Sequence, residues 1–138
     1  MKKLGTLIRL HRWNVDQARR KLADLEKLAA DLRARAAALE VEMASERRVA
    51  GTGFDAGRHY GAYAAAAIER RSRLSGSLAD LETEMARARD ELAGAFEELK
   101  RFEITAERRT REETAISNRL AQKNLDDVAI LRHRRGAA

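Results

Sequence analysis

The chain is predicted to be all-α: a long antiparallel two-helix coiled coil, or helical hairpin, with an overhanging C-terminal helix. Three observations predict it. Twelve positions alternate steps of four and three residues: Leu4, Ile8, His11, Val15, Ala18, Leu22, Leu25, Ala29, Leu32, Ala36, Leu39 and Met43. Eleven of the twelve are apolar. Nine more repeat the pattern: Leu74, Leu78, Leu81, Met85, Ala88, Leu92, Ala95, Leu99 and Phe102. Spacing that averages about 3.5 residues holds a stripe on one side of a helix and winds two helices around each other. Such a stripe is too narrow for a globular core and fits one partner helix. Between the two runs, Gly51, Gly53 and Gly57 form the one strong break.

The first element is a helix over about residues 3–49. It carries the first stripe and, off it, a second apolar edge of Leu7, Leu10 and Trp13. That edge either covers the base of the second helix or forms a docking patch, since tryptophan is a common interface anchor. The hinge covers about residues 50–57, with Asp55 as the expected N-cap of the second helix. That helix runs over about residues 58–134. A link this short makes two long helices antiparallel neighbours, within one coiled-coil domain over 1–138. Folding at the loop midpoint sets Leu4 opposite Phe102 to Ile104 and His11 near Ala95.

The second helix opens with Tyr60, Tyr63 and an alanine run, Ala62 and Ala64 to Ala67. Together with Phe54, the tyrosines are expected to cluster at the hinge tip as a contact site. Gly76 and Gly94 fall inside this helix, each at a cost of about 1 kcal/mol against alanine. Past Phe102 the stripe changes character. The same register meets Ala106, Arg109, Glu113, Ile116, Leu120, Lys123, Asp127 and Ile130, of which four are charged. An overhang is therefore expected from about residue 106, roughly 45 Å long. Isolated helices are marginal in water, so this segment is expected to await a binding surface.

Composition agrees with the helical reading. Ala, Leu, Glu, Lys and Arg supply 85 of 138 residues, and proline is absent. Aromatics are 4%, too few for an ordinary compact core. The 28 cations and 22 anions are interspersed, which suits a solvated face with i,i+4 pairs. Arginine outnumbers lysine 22 to 6, and its planar fork suits carboxylates as well as phosphates. With no cysteine, disulfides and thiolate metal sites are excluded. Met1-Lys2-Lys3 has the basic start of a signal peptide, but Arg9, His11 and Arg12 break the apolar stretch that should come next. No apolar run is long enough to span a membrane.

Chemistry is not evident. His11, His59 and His133 lie far apart in sequence. The pairs Glu97-Glu98, Glu112-Glu113 and Asp126-Asp127 point about 100° apart on a helix and do not face across a cleft. A two-helix fold offers no cavity to desolvate a carboxylate. Gly51-Thr52-Gly53 lacks the lysine of a phosphate loop. No catalytic, cofactor or metal site is expected, and the chain is read as not an enzyme. Nucleic-acid binding is the rival class. Arg101 to Arg111 and Arg132-His133-Arg134-Arg135 are basic, and a basic helix leaving a coiled coil can enter a major groove. Glu103, Glu107, Glu112 and Glu113 interrupt the first stretch and would face phosphates, so no nucleic-acid partner is expected.

Four segments together resemble a known family. They are Leu4-Gly-Thr-Leu-Ile-Arg-Leu10, the glycine-rich middle, Tyr60-Gly-Ala-Tyr63, and Asn118-Arg-Leu-Ala-Gln-Lys-Asn-Leu-Asp-Asp127. The chain resembles the flagellar export protein FliJ family over nearly its whole length, most specifically over Gln122 to Asp127. The resemblance implies a cytoplasmic stalk of the flagellar type III export machine, peripheral at the inner-membrane export apparatus. Its open end would sit in the pore of a hexameric export ATPase. It would also contact the export gate membrane protein and export chaperones. Residues 106–135 are then expected to enter the ring, with Arg108, Arg109, Arg111, Arg119, Gln122, Lys123, Leu125, Asp126 and Trp13 as contacts. Tyr60, Tyr63, Ala67, Arg70 and Leu74 are expected to meet the gate. The stalk of a virulence-type secretion system is the alternative within the same class.

Overall fold

The computed structural model describes the backbone of residues 2–137 and the side chains of residues 3–55 and 57–136. Met1, part of the basic start, lies outside the described residues. Three helices run in order: α1 (Lys2–Ala50), α2 (Phe54–Gly57) and α3 (Tyr60–Ala137). Two are long, at 49 and 78 residues, and they pack against each other. Among the described residues there is no strand, and no helix is long and apolar enough to cross a membrane. Contacts divide the chain into two units, Asn14–Ala95 and Met1–Trp13 with Phe96–Ala138.

In the unit Asn14–Ala95, the predicted stripes meet as a seam. Val15, Ala29, Leu39, Met43, Leu81, Met85 and Ala88 are buried. Ala29, Leu81 and Met85 form one cluster, with Leu22, Leu25 and Leu32 packed against it. Leu39, Met43 and Ala67 form a second, with Tyr63 and Leu74 against it. Cross-helix ion pairs show the direction of packing. Lys21 meets Glu91 at 3.1 Å, Arg33 meets Glu82 at 3.7 Å, and Arg70 meets Glu42 at 3.8 Å. Rising numbers on α1 meet falling numbers on α3, so these arms are antiparallel. All of these pairs are exposed, so each adds about 0–1 kcal/mol and their main effect is on register.

Ala67 extends the seam one heptad toward the hinge, beyond the predicted start at Leu74. The position between them is filled by Arg71, not by an apolar residue. Its guanidinium forks onto Glu40, Nε to Oε1 at 2.6 Å and Nη2 to Oε2 at 3.0 Å. Nη2 also lies 3.4 Å from Met43 Sδ. The charged end thus lies at the rim of the seam, paired with Glu40 and beside Met43.

At the hinge α1 ends at Ala50, just before the glycines expected to stop it. Gly51 N–H donates to Arg48 O, and the Thr52 amide and hydroxyl both donate to Val49 O. These bonds take up carbonyls that a helix end leaves open. No described residue has positive φ. At Gly57 the constraint is space: a Cβ there would lie 3.2 Å from Ala50 O, a tight contact that would ask the backbone to shift by a few tenths of an ångström. The expected capping role of Asp55 is not found. Asp55 sits in the first turn of α2, whose N-cap is Gly53, and its carbonyl accepts from Arg58 N–H at 3.4 Å. The short α2 is the reason: it occupies the segment expected to lead straight into the second long helix.

The unit of Met1–Trp13 with Phe96–Ala138 buries Leu4 and Leu99. The His11 and Phe102 rings stack, with centroids 4.6 Å apart at 18°. Arg12 meets Glu103 at 3.8 Å. The expected pairing of His11 with the Ala95 region is therefore wrong by about two turns. The link runs Gly51 to His59, so its midpoint falls at residue 55 and sets His11 opposite Leu99, which accounts for about half of the difference. Burial fades after Ala106, and every residue from Glu107 to Gly136 is exposed. Gly76 and Gly94 have no atom within 4 Å of an added Cβ, so no close approach accounts for them.

Candidate partner-binding surfaces

The overhang remains helical through Ala137 with no covering element. It lacks proline and is rich in strong helix formers. Local bonds add to this: Thr110 hydroxyl donates to Ala106 O at 3.0 Å, and Gln122 Nε2 donates to Asp126 Oδ1 at 3.1 Å. The predicted ring contacts Arg108, Arg109, Arg111, Arg119, Gln122, Lys123, Leu125 and Asp126 are all exposed. Among the described residues, none of their five cations forms an ion pair, unlike the cations along the seam.

The overhang also carries an apolar stripe of which the heptad register meets Ile116 and Leu120 but not Val128 and Leu131. Ile116, Leu120, Val128 and Leu131 fall within about 120° of one another around a straight helix at 3.6 residues per turn. All four are exposed large hydrophobics, Leu120 at 58%. A period of 3.5 residues per turn sends the pattern through Lys123, Asp127 and Ile130 instead. The period of an unpaired helix is the signal that could have found it. Leu125 stands away from this stripe.

The hinge-side residues have a different setting. Ala67 is buried, and Tyr63 and Leu74 pack against the Leu39–Met43 cluster. The Tyr63 hydroxyl is buried without a hydrogen-bond partner. Burial pushes the Tyr63 phenol above the usual tyrosine range, and the nearby Glu42 and Glu46 carboxylates push the same way. The Tyr60 and Tyr63 rings are tilted neighbours, 6.4 Å apart. Arg47 Nε donates to Tyr60 Oη at 3.5 Å, which raises the Arg47 pKa further. Phe54 does not join the tyrosines as expected, and stands 88% exposed. It belongs to α2, an element with no signal in the sequence pattern. An open groove runs beside the seam, lined by Arg35, Ala38, Leu39, Glu42, Arg70 and Leu74.

On α1, the edge of Leu7, Leu10 and Trp13 is only partly covered. Leu10 is 50% exposed and Trp13 60%. Leu7 is 38% exposed, so the edge is partly covered at that end and more open toward Trp13.

No curated protein and no solved structure matches the chain. The sequence model of the family described as Flagellar FliJ protein matches residues 1–138, the whole chain. Two long packed helices, their seam in 3.5-residue steps and this full-length match lead to one conclusion: the chain belongs to the flagellar FliJ protein family.

Proposed function

We propose that this chain is a non-catalytic component of flagellar type III protein export, working in the cytoplasm at the inner-membrane export apparatus. Residues 106–135 enter the pore of a hexameric export ATPase, and the hinge side meets the export gate and export chaperones. The observation that carries the reading is the bare overhang: no residue from Glu107 to Gly136 is covered, although Ile116, Leu120, Val128 and Leu131 form an apolar stripe. A helix in this state gains from a host that buries the stripe and supplies carboxylates to Arg108, Arg109, Arg111, Arg119 and Lys123. The flagellar family favours this host over the ring of a virulence-type system.

Ring insertion has a stoichiometric signature. Native mass measurement of the mixture should give one chain per six ATPase subunits, kept as salt is raised. Contacts to nucleic-acid phosphates would instead fall steeply with salt. Assemblies of one chain per subunit, or complexes that vanish by moderate salt, would remove the ring reading.

For the gate, the groove beside Arg70 and Leu74 supplies the accessible surface, with Tyr60 at its hinge end. Tyr63 and Ala67 lie beneath it and hold α3 in place against Leu39 and Met43. Tyr63→Ala should weaken capture of the gate protein about tenfold and leave far-UV helicity intact. Capture at the wild-type level would reject the hinge side as the gate contact.

A further inference from the structure

The first carboxylate in the chain is Asp16. Before it come Lys2, Lys3, Arg9 and Arg12 and no acidic residue, in a chain with 22 acidic groups. The exposed apolar residues Leu7, Leu10 and Trp13 lie in this same segment. They succeed one another at i, i+3 and i+6, so they line one side of α1 over two turns, about 9 Å. Lys3 and Arg9 precede Leu7 and Trp13 by four residues, so each cation sits beside an apolar member of the edge. Both are exposed. Arg12 is turned to Glu103 at 3.8 Å and is left out of the set.

We propose that the Leu7–Leu10–Trp13 edge of α1, flanked by Lys3 and Arg9, docks in the headgroup layer of an anionic membrane. Two features choose a lipid surface over a protein groove. Three part-exposed side chains in one line fall far short of the roughly 800 Å² per partner that a stable protein interface buries. The same line suits shallow insertion, where an amphipathic helix sinks its apolar side about 5–10 Å. Tryptophan favours that depth, because its ring is apolar and its N–H finds water or headgroups. No carboxylate within residues 1–15 offsets these cations, and Glu103 of α3, the acid paired nearby, is turned to Arg12. Each cation near such a surface strengthens binding roughly fivefold. The inference does not rest on the ring reading: it assigns Trp13, expected above as a ring contact, to a lipid surface and leaves the ring the α3 residues.

Trp13 is the chain's single tryptophan, so its emission reports on this edge alone. The full chain is mixed with vesicles of phosphatidylcholine carrying about one-third phosphatidylglycerol, and with pure phosphatidylcholine. A blue shift, shielding from acrylamide and co-sedimentation are expected with the anionic vesicles only, and should be reversed by salt. Leu10→Ala with Trp13→Ala should lower co-sedimentation at least about tenfold. Lys3→Gln with Arg9→Gln should lower it roughly twenty-five-fold. Both pairs are exposed, so helicity should stay unchanged. Arg132→Gln with Arg134→Gln should leave binding as it is. Failure to bind anionic vesicles overturns the proposal. So does binding that survives the α1 substitutions or is lost with those at Arg132 and Arg134. A Trp13 shift produced by the ATPase ring and not by vesicles would assign the edge to a protein and overturn it equally.

Discussion

A chain ending at Ala106 is expected to lose binding to the export ATPase while keeping its folded seam. The deletion removes the exposed stretch from Glu107 to Gly136, which buries none of its own apolar side chains. Its removal should therefore move Tm by no more than about 2–4 °C, equivalent to about 1 kcal/mol. On the binding side, four apolar side chains lose the surface that would cover them. At about half burial each, Ile116, Leu120, Val128 and Leu131 sum to about 4 kcal/mol, or roughly a thousandfold in Kd. Five cations lose their carboxylates as well. Titration of labelled chain with ATPase and a parallel thermal melt separate the two effects. A truncated chain that still binds and stimulates the ring would end the overhang's claim to that role.

The second large effect sits in the seam. Ala29 is fully buried among Leu81, Met85, Leu22, Leu25 and Leu32. Ala29→Glu would place a carboxylate there with no partner. An uncompensated buried charge costs on the order of 3–5 kcal/mol, so Tm should fall by about 10–20 °C. The neighbouring Ala30 is exposed. Ala30→Glu changes charge and helix propensity in the same way and should stay within about 0.5 kcal/mol of wild type. Acid offers a further check on cause. Burial raises the pKa of the new glutamate in the folded chain, so the penalty is full above that raised value, fades as pH falls from it, and is gone below the unfolded value of about 4. Equal melting of the two variants would show that residue 29 does not face the other helix.

Much of this was legible from spacing. Each stripe position from Leu4 to Met43 and from Leu74 to Phe102 is buried or half-buried in the structure. The reason is physical: a two-helix seam has one period and one partner, so a count of steps fixes which side chains meet. Register was less legible. His11 meets Phe102 and not the Ala95 region, in part because α2 lengthens the link and its four residues from Phe54 to Gly57 give no periodic signal. The capping role given to Asp55 failed for the same cause. Arg71 was invisible as a seam residue because its fitness depends on Glu40 across the gap. On the overhang the heptad was carried too far. Beyond Ala106 no partner enforces 3.5 residues per turn, and the apolar residues keep to the helix's own 3.6. The exposure of Leu10 and Trp13 could not be read from periodicity, which says what lies off a seam but not what else covers it.

The central claim is that residues 107–136 stand bare in the free chain and are covered in the ring. Amide hydrogen exchange measures this directly, peptide by peptide, on the free chain and on the chain with ATPase hexamer. In the free chain, amides from Glu107 to Gly136 should exchange fast, because a lone helix frays, while those around Ala29 and Met85 stay protected. Adding the ring should slow exchange across Ile116 to Leu131 by about two orders of magnitude or more and leave the Ala29 region unchanged. Protection of the overhang in the free chain, or no gain of protection on adding the ring, would contradict the claim.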